Sequence, residues 1–354
     1  MKLLHSADWH LDSPLAGRSG EEGRLLRHTL ARLPDAIVTA AKRAGCQLML
    51  LSGDLFDAAP APASVAALKE ALARAEMPVC IAPGNHDFCA PNSLWLREAW
   101  PENVHIFTGS AVSSVCLPEL DCRVYGAAFT GPEMPGLLRD FRAQGPETWH
   151  LGVFHGDPTQ RSSPYAPVTV RQIEASGLHY LALGHIHKGG SIRAGNTLCA
   201  WPGCPAGRGY DEDGVKGVNL VTLEPGGVRA EFLPLDTPRF FDLEAAGDAA
   251  SALSALLPPA PSQDFYRVTL TGESEPLEEA ALAALREKFP HLDLRDRTVS
   301  PAALWERAGQ DSLEGVYFSL LKERLDTQPE DRDAILLAAR ISRQILLGEE
   351  VTLP

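Results

Sequence analysis

QLMLLSGDLFD, residues 47–57, decides the architecture. Its first half is an apolar run of strand length, and the run breaks at once into Gly53-Asp54, the mark of a buried strand that ends in a polar loop. The same pattern stands on either side. KLLHSADWH (2–10) precedes it and PVCIAPGNHD (78–87) follows, each an apolar run that gives way to polar or Gly residues. Between these runs, Arg24 to Ala44 and Ser64 to Ala75 place Leu and Ala at helical spacing among Arg, Lys and Glu. The order β-α-β-α-β implies parallel strands joined by crossover helices. Further runs at Arg123–Ala127, Leu151–Phe154, Tyr180–Leu183, Thr197–Ala200 and Val218–Leu223 form a strand-rich second half, so the expected class is α/β, with helices packed on a pair of mixed sheets.

With 354 residues, 45% hydrophobic and 22% charged, the chain has the composition of a globular protein with room for two domains. A boundary is expected after Pro234-Leu235-Asp236-Thr237-Pro238, dividing residues 1–238 from 239–354. The second part reads as an Ala/Ser/Pro-rich helix and connection (245–262), a β-α-β unit (264–299) and two terminal amphipathic helices (301–348). In the first of these helices Leu313, Val316, Tyr317, Leu320, Leu321 and Leu325 share a stripe, and in the second Ile335, Ala338, Ile341 and Ile345 do, each the ordinary signature of a core-facing surface.

No apolar run is long enough to span a membrane, and the N-terminus meets His5 and Asp8 too early for a secretory segment, so a cytoplasmic protein is expected. The seven cysteines (46, 80, 89, 116, 122, 199, 204) are scattered with no C-x-x-C pair, which argues for buried, reduced thiols. The net charge of −14 divides as −4 over residues 1–239 and −10 over 240–354, so two divalent cations would cancel the deficit of the first part.

The residues with chemistry cluster at the ends of these runs: Asp8-Trp9-His10, Gly53-Asp54 with Asp57, Gly84-Asn85-His86-Asp87, His155-Gly156-Asp157 and Gly184-His185-Ile186-His187. Each alone has a plain explanation, since Asp8 or Asp54 could cap a helix and the histidines could be exposed loop residues. Together they do not, because five of the chain's eleven histidines fall in these segments, all at strand ends, where loops of an α/β sheet converge. Carboxylates, imidazoles and an amide in one crevice suit two hard or borderline divalent ions, which can bind a phosphoester and lower the pKa of a water between them. Asp54 could bridge them. Asp8 and His10, two apart on an extended segment, could chelate one ion, Asn85 and His155 could serve the other, and His185 and His187 share a face. The mixed set favours Mn²⁺, with Fe²⁺ or Zn²⁺ as alternatives.

The motifs D-x-H, G-D-x-x-D, G-N-H-D, H-G-D and G-H-I-H, in this order, resemble those of the calcineurin-like metallophosphoesterase superfamily. HSADWHLD (5–12) and LALGHIHK (181–188) resemble its bacterial SbcD/YhaO-type DNA repair nucleases, over residues 1 to about 235. The resemblance implies a two-sheet sandwich flanked by helices, with a smaller C-terminal α+β capping domain. It implies one metal on Asp8, His10, Asp54 and His187, a second on Asp54, Asn85, His155 and His185, and His86 as the residue that protonates the leaving oxygen. Asp87, or another carboxylate, is expected to support His86, and Asp12 and Asp57 to stand behind the ligands. Asp57 takes the place of a histidine found in archaeal and eukaryotic relatives. Also implied is a coiled-coil, SMC-like ATPase partner, on which the terminal helices could dock; homodimerisation is left open. DNA is the expected substrate, with Arg18, Arg24, Arg27, Arg139, Arg142 and Arg161 as candidate phosphate contacts. The rival readings are a small-nucleotide phosphodiesterase or phosphatase and a DNA-binding scaffold subunit with minor catalysis of its own.

Overall fold

The computed structural model describes residues 1–18, 20–57, 60–348 and 351, so the last positions of the 239–354 region lie outside the described residues. Residues up to Phe240 form one unit and those from Phe241 a second.

The first unit opens with β1 (Lys2–Ser6), α1 (Gly20–Arg43), β2 (Leu48–Leu51), α2 (Pro62–Ala73), β3 (Val79–Ile81), α3 (Leu94–Arg97) and β4 (Val104–Ile106). It continues through β5 (Ser113–Leu117), β6 (Cys122–Gly126), β7 (Trp149–His155), α4 (Val170–Ala175), β8 (Tyr180–Gly184), β9 (Lys188–Ala194), β10 (Thr197–Gly203), β11 (Gly217–Glu224) and β12 (Gly227–Pro234). Two six-stranded sheets result, ordered β12-β11-β1-β2-β3-β4 and β5-β6-β7-β8-β10-β9. Both are mixed. The runs β1 to β4 and β6-β7-β8-β10 are parallel, and β11, β12, β5 and β9 join antiparallel.

Alternation along the strands makes this a sandwich. Leu3, Leu48, Leu50 and Cys80 of the first sheet share a core with Val124, Leu151, Val153, Tyr180 and Ala182 of the second. Each such large apolar side chain, taken fully from water, contributes roughly 1.5–3 kcal/mol. Leu4, Met49 and Leu51, one residue out of phase, are equally buried and point to the opposite face, the side left for the crossover helices. There α1 buries Leu26, Leu30, Leu33, Ile37 and Val38 on one stripe, with Glu21 and Glu22 in its first turn and Lys42 and Arg43 in its last, each favourable to the helix dipole. The outer face of the second sheet carries another core around Phe129, Phe154, Ile173, Leu181 and Leu183.

In the second unit, β13 (Phe240–Ala246), β14 (Phe265–Thr271) and β15 (Leu292–Asp296) form a sheet in that order, with α5 (Ala249–Leu256) and α6 (Glu279–Lys288) between them. β14 and β15 are parallel, with Tyr266 opposite Leu292. α7 (Pro301–Leu304), α8 (Leu313–Thr327) and α9 (Arg332–Leu347) follow and share a small core of Leu304, Phe318, Leu336 and Ala339. The stripe expected to face that core on α8 is rotated: Leu321 and Leu325 pack against it beside Phe318, whereas Leu313 (88% exposed), Val316, Tyr317 and Leu320 face solvent. On α9, Ile335 is buried, but Ile345 is exposed.

All seven cysteines are free, and Cys116 is exposed, against the expectation that all would be buried. Among the described residues no helix is long and apolar enough to cross a membrane.

Candidate metal centre

All five motif loops leave carboxyl ends of parallel strands, β1, β2 and β3 in one sheet and β7 and β8 in the other. The backbone there is strained in a consistent way. Asp8 (φ 56°), His10 (φ 48°), Asp54 (φ 51°) and His185 (φ 94°) all lie in the left-handed region, which costs a non-glycine residue of order 1–3 kcal/mol and persists only where surroundings enforce it. Enforcement comes from a short ladder between the first two loops: the amides of Asp8, His10 and Leu11 donate to the carbonyls of Gly53, Asp54 and Leu55 at 2.9–3.0 Å. Asp8 and His10 therefore converge through turns and not, as expected, as alternate residues of an extended segment.

Two glycines are required by proximity. A Cβ on Gly84 would stand 2.2 Å from Asp54 Oδ1, and one on Gly184 would stand 2.2 Å from the Ser52 carbonyl and 2.8 Å from His155 Nδ1. The G-N-H-D and G-H-I-H motifs thus begin with glycine because ligand-bearing loops touch the backbone there.

The imidazoles are oriented by what holds their Nδ1 atoms. His10 Nδ1 lies 3.0 Å from Asp57 Oδ1, His187 Nδ1 lies 2.7 Å from Glu212 Oε1, and His155 Nδ1 lies 2.8 Å from the Ser52 carbonyl. Each partner is an acceptor, so each Nδ1 carries the proton and each Nε2 presents a lone pair. Those lone pairs meet other acceptors. His10 Nε2 is 3.1 Å from His187 Nε2, and His155 Nε2 is 3.2 Å from Asp54 Oδ2 and 3.0 Å from Asn85 Oδ1. Lone pair facing lone pair repels unless a proton or a metal cation lies between, so this donor set fits divalent metal.

Three overlapping groupings emerge. Ligand atoms of Asp8, His10 and His187 lie within 4.8 Å of one another, as do those of Asp8, Asp54 and His155 and those of His10, Asp54 and His86. His185 Nδ1 joins at 3.3 Å from Asn85 Oδ1, its ring packed against Tyr165 at 4.6 Å, while its amide donates to Asp8. Asp54 stands between the groupings, buried, with Oδ1 accepting the His86 amide (2.9 Å) and Oδ2 turned to His155 and His10. His185 thus lies beside Asn85 and His155, and His187 beside His10, despite their alternate spacing.

The electrostatics follow burial and charge. Burial alone would raise the Asp54 carboxyl, but the charges and hydrogen bonding of His155 and His10 hold it well below the usual range. Burial likewise works against a charged His155, and the adjacent Asp54 overrides it, raising that imidazole to about 9, so that a proton lies between Nε2 and Asp54 wherever a metal cation does not. His185 goes the other way, to about 4, through burial and the nearby His155. Asp57 is held down to about 2, chiefly by the hydrogen bond from His10.

Asp57 also lies 3.0 Å from His86 Nδ1, and the His86 side chain is 44% exposed at the mouth of the centre. Here the structure departs from the expectation drawn from sequence, because Asp87 does not support the His86 ring. Asp87 is buried, and its two oxygens accept the backbone N–H groups of Gly84, Asp54, Leu55 and Phe56 at 2.7–3.3 Å, which locks the loops after β2 and β3 together. Asp12 is also diverted: it accepts from Ala61 N (2.8 Å) and Ser64 Oγ (2.7 Å) at the start of α2, away from the ligands. Arg18, one of the candidate phosphate contacts, lies over the rings of Tyr210 and Phe240 and pairs with Glu22.

Two residues of the centre, Arg208 and Glu212, are not among those expected from sequence. Glu212 is buried, holds His187 and is itself clamped by Arg208, whose NH2 is 2.6 Å from Oε1. Their signal is an Arg and a Glu four apart in the loop after β10, which like β1, β2, β7 and β8 delivers a polar loop at a parallel strand's end.

Residues 1–189 match the profile of the calcineurin-like phosphoesterases. The chain belongs to that family. Within this family of phosphoesterases, it is 31% identical over 249 residues to the metallophosphoesterase YhaO of Bacillus subtilis, a match covering 66% of this chain and 60% of that protein. It is 27% identical over 277 residues to the SbcD component of the nuclease SbcCD of Bacillus subtilis, covering 64% of this chain and 67% of that one. The chain thus spans about three fifths to two thirds of the length of these relatives. Among solved structures, TT1561 of Thermus thermophilus aligns with a TM-score of 0.40 at 14% identity, over 65% of this chain and 98% of that one. Zn²⁺-bound Vps29 of Entamoeba histolytica aligns with a TM-score of 0.31 at 13% identity, over 66% and 99%.

Proposed function

We propose that this calcineurin-like phosphoesterase is a two-metal DNA nuclease. One ion would be held by Asp8, His10, Asp54 and His187 and the other by Asp54, Asn85, His155 and His185, with Mn²⁺ favoured by the N/O donor set over Fe²⁺ or Zn²⁺. When bound, such a pair supplies Lewis-acid activation of the phosphate and a water of lowered pKa. Around it, the protein's own groups divide the work. Asp57 orients the His86 ring by holding Nδ1–H, and with the ring doubly protonated Nε2 is the atom that would hand its proton to the leaving oxygen, the Nδ1–H staying on Asp57. Glu212 and Arg208 hold His187, and the Ser52 carbonyl holds His155, so the ligands are aligned before substrate arrives.

The observation that carries this reading is the set of Nε2 lone pairs turned on one another at 3.1 Å and on oxygens at 3.0–3.2 Å, with one exposed histidine beside them. The likeness to a nuclease component supports DNA as substrate. It also supports a coiled-coil ATPase of the SMC kind as partner, for which the solvent-facing Leu313, Val316 and Leu320 of α8 offer a surface in the second unit.

The test is a Mn²⁺-dependent digestion of single-stranded, double-stranded and hairpin DNA, run beside a cyclic nucleotide and with His86→Ala as control. Cleavage of DNA by the wild type, lost in the variant, is expected. Turnover of the cyclic nucleotide alone would replace the nuclease by a small-nucleotide phosphodiesterase.

A further inference from the structure

A cleft of about 420 Å³ adjoins the metal centre at His187, walled by Lys188, Trp201, Asp213, Lys216 and Phe232 among others. It runs between the start of β9 and the end of β10 in one sheet and β11 and β12 in the other. Three features distinguish it from an accidental groove.

The first is Lys216, which is 7% exposed, and among the described residues no hydrogen bond or ion pair takes up its ammonium. Its stem is buried while its unpaired ammonium keeps contact with the water of the cleft, so an anion entering there would meet a free cation at the end of an immobilised stem. Asp213 stands at the rim but is not within ion-pair distance of it. The second is the pair of aromatic walls. Trp201 is buried, fixed by Nε1 donating to the Lys188 carbonyl (3.0 Å), its ring so close over Gly190 that a Cβ there would meet it at 2.5 Å. Phe232 on the facing strand is 48% exposed, an apolar ring offered to whatever enters. The third is Lys188, exposed at the mouth and joined directly to ligand His187.

We propose that this cleft is a subsite for the part of the substrate beyond the reacting phosphate: Lys216, with Lys188, binds a second phosphodiester, and Phe232 stacks on a base. The inference rests on the nuclease reading above and sharpens it. A mononucleotide or a cyclic nucleotide has one phosphate, which the metal centre occupies, and has nothing to give a second cationic point in an adjoining cleft. A chain, with a phosphate at every nucleotide and a π-face at every base, uses both.

The experiment compares kcat/KM for a fluorescent single-stranded oligonucleotide with kcat/KM for bis(p-nitrophenyl) phosphate, a diester without a second phosphate, in the full-length protein and in Lys216→Met and Phe232→Ala. In each variant the oligonucleotide-to-small-diester ratio is expected to fall on the order of tenfold, the size of effect of one lost base stack or phosphate contact. Oligonucleotide binding by fluorescence anisotropy in EDTA, which needs no turnover, is expected to lose about 0.7 in log–log salt slope in Lys216→Met, the loss of one single-strand phosphate contact. Unchanged ratios with an unchanged slope overturn the subsite. Should Lys216→Met not fold, the ratio in Phe232→Ala, a half-exposed position, decides alone. A wild type that hydrolyses the small diester but no oligonucleotide refutes the nuclease reading itself, whereas cleavage of DNA with unaltered ratios refutes only the cleft.

Discussion

Asp57 Oδ1 lies 3.0 Å from Nδ1 of His86, and the same oxygen lies 3.0 Å from Nδ1 of His10. One carboxylate thus sets the ring of a metal-ligand candidate and the ring of the proposed proton donor. Asp57→Asn is expected to lower turnover and Mn²⁺ affinity together, each about 10- to 100-fold, the usual cost of losing a group behind a ligand. Titration calorimetry and initial rates check this, and a variant with wild-type values in both would remove Asp57 from the centre.

Asp54 and His86 should separate cleanly. With Asp54→Ala, both proposed metal sites would lose the carboxylate they have in common, so metal content by mass spectrometry and activity are expected to vanish together. With His86→Ala, the metal content should stay near that of the wild type, while turnover drops about 10²- to 10⁴-fold, the range of a lost general acid. Equal metal loss in the two proteins would make His86 a ligand.

Asp87 is expected to behave as a fold residue. Asp87→Ala strands four buried N–H groups that now share one carboxylate. The expected destabilisation is on the order of 3 kcal/mol or more, read as a shift of the urea midpoint. A midpoint within experimental error of wild type would return Asp87 to a direct part in the chemistry.

His5 supplies a pH dependence. Its ring is wholly buried between Tyr180 OH (2.7 Å) and Ser52 Oγ (2.6 Å), and burial pushes its pKa down to about 3 from 6.5. Below pH 6.5 the unfolded chain therefore takes up a proton that the folded chain refuses, so this contribution is intact above 6.5 and is lost progressively as pH falls toward 3. The loss is about 1.4 kcal/mol per pH unit. At pH 6.5 the unfolded ring is already half protonated, so urea unfolding at about pH 6.5 and about pH 5.5 should show wild type losing about 1 kcal/mol more than His5→Gln; identical losses would contradict it.

Much of the first unit is legible in sequence because its central strands are buried on both faces and read as continuous apolar runs: LMLL of β2 and YLALG of β8 are buried at every position. The strands that sequence does not announce lie at or beside sheet edges. β9 begins Lys188-Gly189-Gly190 and has a half-exposed face, and β5 is exposed or half-buried along its length, so neither carries the apolar signal that burial imposes. β13 is hidden for another reason. Its Phe-Phe-Asp-Leu-Glu alternation follows directly on a Pro-rich stretch that reads as a boundary between domains. At the centre, the ligands are legible since metal chemistry restricts them to few residue types, but the groups behind them are not. Asp57 reaches His86 from a separate loop while the adjacent Asp87 turns away, and adjacency in sequence carries no information about which carboxylate an imidazole meets.

The candidate ligands divide between the two layers, Asp8, His10, Asp54 and Asn85 following strands of one sheet and His155, His185 and His187 following or ending strands of the other. A cation shared by them is therefore a rivet through the sandwich as well as a reagent. Chelation should loosen the seam itself: at metal concentrations about a hundredfold above Kd, roughly 2.7 kcal/mol of unfolding free energy would be supplied by occupancy alone. Proteolytic nicking and hydrogen exchange along β1 and β8 would then report metal starvation, even with no substrate present.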